Sequence, residues 1–208
     1  MTDPAAATTE SGTGTVSGAV PGPDGVPRCG WANGTPEYRA YHDTEWGRPL
    51  HGETALFERL ALESFQSGLA WITILRKREN FRRAFAGFDP EVVAGFGDDD
   101  HARLMGDAGI VRNRAKITAT IANARAVLAL RDAYDGGLDA LIWSYAPDPT
   151  ARPAPRVPTD IPATSPGSVA LAKALKKYGF AFLGPTTMYA AMQACGLVND
   201  HVAGCSAR

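Results

Sequence analysis

Two cysteines and two histidines close to the ends of the chain constrain its fold more than any other feature. Cys29 and His42 lie in R-C-G-W-A-N-G-T-P-E-Y-R-A-Y-H-D, and His201 and Cys205 lie in G-L-V-N-D-H-V-A-G-C. Two thiols and two imidazoles are the number and type of ligands that one tetrahedral zinc ion takes. The spacing of the second pair would place both side chains on one face of a helical turn. If all four side chains bind one ion, a metal clasp joins the two ends of the fold.

The alternative interpretation of these residues is a buried thiol and two surface histidines, without metal. The chain has three cysteines, and this odd number argues against a disulfide framework. The third, Cys195, lies between Ala194 and Gly196 at an apolar helix end, where it is interpreted as a small buried hydrophobic residue.

Length and composition indicate one domain with a proper core. The chain has 208 residues, of which 45% are hydrophobic, and a formal net charge of −1. No run of about 18 or more apolar residues is present, which argues against a transmembrane helix. The N-terminal residues lack the charged and apolar regions of a secretory signal. We therefore expect no association with membranes, and the cysteine count favours the reducing cytoplasm.

Residues 28–208 are predicted to form an all-α domain. Residues 1–27 are mostly Ala, Thr, Gly, Ser and Pro, which cannot bury enough surface to offset the entropy of ordering, so a disordered tail is predicted. Apolar periodicity predicts helices, and no segment predicts a strand. The predicted helices cover residues 54–67, 72–78, 79–85, 101–106, 112–131, 138–145, 168–178 and 185–196. Seven prolines predict an irregular loop over residues 147–167.

Basic residues occur in three clusters, which suggests a surface with one basic side. The clusters are Arg76, Lys77, Arg78, Arg82 and Arg83; then Arg112, Arg114, Lys116 and Arg125; then Lys173, Lys176 and Lys177. The first three residues of the second cluster lie in D-A-G-I-V-R-N-R-A-K-I, where two helices flank a glycine-containing turn. Such a turn can bind phosphate through backbone amides, although an ordinary helical hairpin would have the same pattern.

Several sequence blocks, in order, resemble the bacterial 3-methyladenine DNA glycosylase I family. They are R-C-G-W, Y-H-D-x-E-W-G, L-E-x-x-Q-x-G-L-x-W-I-T-I-L, K-R-E-N-F-R, D-A-G-I-V-R-N-R-x-K-I, N-A-R and M-Q-A-C-G-L-V-N-D-H. The resemblance spans residues 28–205. It implies a helix-hairpin-helix DNA glycosylase fold, with the hairpin at about residues 100–131. It also implies a zinc-clasped lobe formed by residues 29–42 and 201–205.

The resemblance also implies the role of individual residues. One structural zinc ion would be bound by Cys29, His42, His201 and Cys205. The base pocket would contain the catalytic Glu63, with Tyr41, Trp71 and nearby Trp31. The DNA contacts would be Gly68, Leu69, Gly109, Val111, Arg112 and Lys116, with Leu69 entering the duplex. Core packing is the alternative role for the aromatic residues, and an exposed helix face is the alternative position for Glu63.

The implied function is removal of 3-methyladenine from alkylated double-stranded DNA by a monomeric enzyme. The enzyme would flip the base out of the stack and hydrolyse its N-glycosidic bond, leaving an abasic site. A buried carboxylate such as Glu63 needs a partner, and a cationic methylated base would provide one. Asn113 appears where relatives with lyase activity have a lysine, which argues against a Schiff base, although Lys116 is an alternative match for that position. The competing hypothesis is a zinc-stabilised DNA-binding module without excision activity.

Overall fold

The structure, a computed structural model, describes residues 18–150 and 152–208. It is mostly helical, as predicted. Its α-helices are α1 (Pro36–Thr44), α2 (Glu53–Gln66), α3 (Trp71–Ala84), α4 (Pro90–Ala94), α5 (Asp98–Gly106), α6 (Arg114–Ala133), α7 (Gly137–Trp143), α8 (Pro166–Lys177) and α9 (Pro185–Ala194). Across the described ranges, no helix has both the length and the apolar character needed to cross a membrane.

Helix α2 lies at the centre of the fold, because α3, α6, α7 and α9 all pack against it. Every residue from Leu56 to Phe65 is buried except Glu58, which is half-buried. Gly68, with φ of +82°, turns the chain just after the helix ends. A helix enclosed in this way has almost no solvent face, so its charged residues Arg59 and Glu63 are buried with it.

Helix α3 corrects the prediction of two separate helices over residues 72–85. The structure has one continuous helix there, because the stretch contains no glycine or proline that would interrupt it. It buries Ile74, Phe81 and Ala84, while Arg76 and Arg83 are exposed.

The predicted disordered tail is wrong for residues 19–27, and so is the prediction that the chain has no strands. Strand β1 (Ala19–Pro21) pairs antiparallel with β2 (Pro27–Cys29). The G-P-D-G sequence makes the turn, in which the Gly22 N–H donates to the Val26 carbonyl at 2.9 Å and Gly25 has φ of +76°. Composition concealed this short turn signal. The rest of the predicted tail, residues 1–17, lies outside the described residues.

The hairpin brings the start of the domain against its C-terminal segment. The Ser206 N–H donates to the Pro27 carbonyl at 2.9 Å, and the Val202 N–H donates to Cys29 Sγ at 3.4 Å. The segment between α1 and α2 is also held at the end of α9, because the Leu50 N–H donates to the Cys195 carbonyl at 3.0 Å. These contacts fix both ends of the described domain beside α1 and α9, where the candidate site lies.

Candidate functional site

A cavity of about 270 Å³ opens between α1, α2, α3 and α9. Five aromatic side chains line this aromatic cavity: Trp31, Tyr38, Tyr41, Trp46 and Trp71. Its polar groups are Glu63, Gln66 and Gln193, and Ala190 completes the wall. The cavity therefore offers flat apolar surfaces and a few polar atoms, which is the usual character of a small-molecule pocket.

Glu63 is 5% exposed and forms no hydrogen bond within residues 18–150 and 152–208. Burial raises the pKa of its carboxyl to about 7, and the nearby positive charge of Arg59 opposes that shift. A buried carboxylate without a hydrogen-bond donor is costly to maintain. The side chain is therefore suited to a ligand that brings its own N–H groups and positive charge.

Arg59, which the sequence did not indicate, is buried one helical turn before Glu63. Its Nη1 donates to the Tyr41 hydroxyl at 3.0 Å, and its Nη2 lies 3.7 Å from Glu45 Oε2. The guanidinium carbon lies 5.5 Å from the Tyr41 ring centroid and 5.6 Å from that of Trp71. Arg59 thus fixes the position of Tyr41 and places a positive charge behind the cavity.

The aromatic residues predicted for the site are brought together. The Tyr41 and Trp71 ring centroids are 5.4 Å apart, and those of Trp31 and Tyr41 are 6.4 Å apart. Tyr41 is buried, whereas Trp31 is 39% exposed and lies at the edge of the cavity. The Trp71 Nε1–H is buried without a partner among the residues that the structure describes.

The four residues of the clasp are also brought together, and all are buried. Their ligand atoms lie within 4.8 Å of one another. His201 Nδ1 is 3.2 Å from His42 Nε2, and Cys205 Sγ is 3.4 Å from His42 Nε2 and 3.5 Å from His201 Nδ1. Cys29 Sγ lies 3.7 Å from His201 Nδ1. This cluster could hold a metal ion.

Hydrogen bonds outside the cluster define which imidazole nitrogens face its centre. His42 Nδ1 donates to Asp43 Oδ1 at 2.9 Å, and His201 Nε2 donates to the Trp46 carbonyl at 3.1 Å. Burial lowers the pKa of both rings, that of His201 to about 4, so each ring carries one proton. The two inward nitrogens are then lone pairs facing each other. A cation between them would remove that repulsion.

The turn after α2 carries Gly68 and Leu69 as predicted, and Leu69 is 39% exposed. Lys116 differs from its predicted role as a DNA contact. Its side chain is buried, and its Nζ donates to the carbonyls of Phe65 at 2.9 Å and Ser67 at 2.6 Å. Lys116 therefore braces the turn that carries Leu69 against α6, because the last carbonyls of α2 lack partners within the helix.

The turn between α5 and α6 is held from α3. Lys77 Nζ donates to the Ala108 carbonyl at 2.8 Å and to the Gly109 carbonyl at 3.2 Å. A Cβ at Gly109 would lie 2.8 Å from Asp107 Oδ1, so a side chain there would displace the carboxylate that accepts from the Gly109 N–H at 2.7 Å. The sequence-predicted residues of this turn thus form an ordered hairpin.

Charge at this hairpin is less neutralised than in the first basic cluster. Arg112 and Arg114 are exposed and have no hydrogen bond or ion pair to any described residue. The backbone N–H groups of Val111 and Arg112 also have no partner in the described ranges. By contrast, the first basic cluster is largely paired with acids: Arg76 with Glu37, Arg78 with Glu45, and Arg82 with Glu58 and Glu79.

Sequence patterns missed part of the cavity wall. Tyr38 lies in α1 and Trp46 lies in the turn after it. The segment Y-R-A-Y-H-D-T-E-W is visibly rich in aromatic residues, but the sequence did not indicate what these two do. Gln193 lies in M-Q-A-C-G, where one polar residue interrupts an apolar helix. Arg59, four residues before Glu63, could have been found as a second charge on a helix that is otherwise largely apolar.

Comparison with known proteins identifies the family. A family model described as methyladenine glycosylase matches residues 31–208. The chain is 49% identical over 178 residues to DNA-3-methyladenine glycosylase 1 of Escherichia coli (strain K12), covering 86% of this chain and 95% of that protein. A crystal structure of a 3-methyladenine DNA glycosylase I has a TM-score of 0.80 and 47% identity, covering 86% of this chain and 98% of that chain. A structure on 3-methyladenine recognition by the Staphylococcus aureus enzyme has a TM-score of 0.80 and 38% identity, covering 86% and 95%. The chain therefore belongs to the methyladenine glycosylase family.

Proposed function

We propose that this protein removes 3-methyladenine from alkylated DNA by hydrolysing its N-glycosidic bond. One observation carries the proposal: Glu63 is a buried carboxylate to which no described residue donates a hydrogen bond, in a cavity walled by aromatic rings. The similarity to proteins named DNA-3-methyladenine glycosylase agrees with it.

The cavity and the substrate have complementary chemistry. Methylation at N3 gives the adenine of a nucleotide a positive charge and leaves its exocyclic amino group as a donor. A carboxylate at Glu63 accepts from that group in a charge-assisted hydrogen bond. Tyr41 and Trp71 supply flat surfaces for the ring, and Trp31 covers it from the cavity edge. An unmodified adenine gains less because it lacks the charge.

The base reaches the cavity only after it leaves the duplex stack, and Leu69 is suited to fill the gap. This side chain is exposed on a tight glycine turn that Lys116 ties to α6. An apolar side chain inserted between base pairs stabilises an unstacked duplex. Because the turn is braced, little backbone entropy is lost when Leu69 enters the DNA.

The α5–α6 hairpin is the proposed anchor for the DNA backbone. The amides of Val111 and Arg112, which have no partner in the part of the chain that the structure describes, lie just before the N-terminus of a 20-residue helix, where the helix dipole favours an anion. The free charges of Arg112 and Arg114 add attraction for phosphate. We expect binding to double-stranded DNA by one copy of the chain.

The reaction needs little from the protein beyond positioning, since a cationic base is a good leaving group. Binding the flipped base at Glu63 holds the nucleotide while water attacks the sugar. Lyase chemistry would require a free lysine amine. Near the hairpin, both Lys77 and Lys116 donate to backbone carbonyls. Simple hydrolysis that leaves an abasic site is therefore proposed.

Zinc is the ion proposed for the clasp. With Zn–N of about 2.0 Å and Zn–S of about 2.3 Å, a tetrahedral ion sets N–N and N–S separations of about 3.3 and 3.5 Å. The His–His separation here is 3.2 Å, three of the four His–Cys separations are 3.4–3.7 Å, and all four ligand atoms lie within 4.8 Å of one another. Four protein ligands leave no position for water, so the ion is structural. It would hold Trp31 and Tyr41 in place without acting on the substrate.

The test is incubation of the purified protein with methylated duplex DNA, followed by chromatography of the released bases. We expect free 3-methyladenine and abasic sites without strand breaks. DNA binding without release of any base would refute the proposal and favour a module that has lost excision. Elemental analysis of the same preparation should find about one zinc per chain.

A further inference from the structure

A buried polar network outside the aromatic cavity ends on Gln193. The side chain of Asp200 is fully buried, and it accepts from the Tyr189 hydroxyl and from Gln193 Nε2, each at 2.8 Å. Arg152 forms an ion pair with Asp200 and also donates from Nη1 to the Tyr189 hydroxyl at 3.1 Å. Three side chains thus converge on one carboxylate, and only Gln193 reaches the cavity.

The network defines the orientation of the Gln193 amide. A carboxylate that is paired with an arginine accepts hydrogen bonds and does not donate them. The nitrogen of the Gln193 amide must therefore face Asp200, which turns its carbonyl oxygen toward the cavity that the side chain lines. No described residue donates to that oxygen. The cavity consequently has an acceptor at Gln193 as well as at Glu63.

We propose that Gln193 determines which methylated purine is excised, and that Asp200 is the positioning residue that turns its carbonyl oxygen toward the cavity. This proposal rests on the proposed glycosylase function. The exocyclic amino group of adenine carries two N–H donors, which match two acceptors. Guanine has a carbonyl oxygen at the same ring position, and would place acceptor against acceptor. A site built to pair with a donor discriminates strongly against a ligand without one.

The test measures release of 3-methyladenine and 3-methylguanine in one reaction on methylated DNA, because their ratio reports relative kcat/KM. In Asp200→Asn, the new amide can donate to Gln193, so the Gln193 amide can turn and present N–H to the cavity. We expect the 3-methylguanine to 3-methyladenine ratio to rise about tenfold, the effect of one hydrogen bond. Gln193→Met, which leaves Asp200 and the clasp intact, should also raise the ratio.

A double variant that exchanges the amide of Gln193 and the carboxylate of Asp200 should restore the selectivity for 3-methyladenine. In the double variant with Gln193→Glu and Asp200→Asn, the carboxylate at position 193 can only accept, so an acceptor again faces the cavity. The ratio should return toward the wild-type value. A merely structural role of Asp200 would reduce release of both bases in proportion. If Asp200→Asn and Gln193→Met both leave the ratio within twofold of wild type, the proposal is overturned. Wild-type protein that releases neither base would instead refute the proposed function.

Discussion

Replacing Glu63 with glutamine should stabilise the protein, and the gain should depend on pH. The carboxyl has an ordinary pKa of 4.5, and burial raises it to about 7 in the folded protein. Below pH 4.5 the group is protonated in both states. As the pH rises from 4.5 to 7, the unfolded chain ionises first and the folded state is progressively disfavoured. One pKa unit corresponds to about 1.4 kcal/mol, so the full penalty above pH 7 is about 3 kcal/mol.

The measurement is the free energy of unfolding by urea, for wild type and Glu63→Gln, at intervals from pH 4.5 to 8.5. The free energy of unfolding of Glu63→Gln minus that of wild type should grow by about 3 kcal/mol between pH 4.5 and pH 7 and then stay constant. Glu79→Gln is the matched control, because its side chain is 68% exposed on α3, and it should change stability by less than about 0.5 kcal/mol. A difference for Glu63→Gln that is flat with pH would refute the account of Glu63 as a buried carboxyl held at a cost in stability.

Three further substitutions test the supports of the site. Lys116→Met should lower the free energy of unfolding by about 1–3 kcal/mol, because two backbone carbonyls lose their donor. It should also reduce excision, because the turn that carries Leu69 is no longer braced. An unchanged urea midpoint and unchanged activity would contradict this role of Lys116. Gly109→Ala should weaken binding to duplex DNA in a fluorescence anisotropy titration, because its Cβ would lie 2.8 Å from Asp107 Oδ1; wild-type affinity would show that the hairpin is not the anchor. Gly47→Ala should lower both the zinc content and the Tm, because φ at this residue is +77° and the new Cβ would lie 2.8 Å from His201 Nε2. Full zinc content by elemental analysis would show that the substitution does not disturb the clasp.

The mostly helical fold was predictable because apolar periodicity is a local property of the sequence. The helix over residues 54–67 was placed within about one residue of α2 (Glu53–Gln66). What local patterns could not supply was the burial of α2 on all sides, which depends on four other helices packing against it. The β-hairpin over residues 19–29 has only a short turn signal, which the composition of residues 1–27 conceals.

The candidate site was predictable where side chains have unusual chemistry. Cysteine and histidine pairs indicated the clasp, and the sequence blocks indicated Glu63, Tyr41 and Trp71. The position of Lys116 was not predictable, because a basic residue near a hairpin has the same sequence signal whether it faces DNA or caps a neighbouring helix. The orientation of Gln193 depends on Asp200, and sequence cannot reveal which end of an amide faces a cavity.

The most direct test of Glu63 as the group that recognises the base is its effect on the excision rate. Wild type and Glu63→Gln are compared in single-turnover reactions on duplex DNA containing 3-methyladenine, at a protein concentration that saturates the DNA. Loss of a charge-assisted hydrogen bond should slow release of the base by at least about tenfold. A Glu63→Gln variant that releases 3-methyladenine at the wild-type rate would contradict the account.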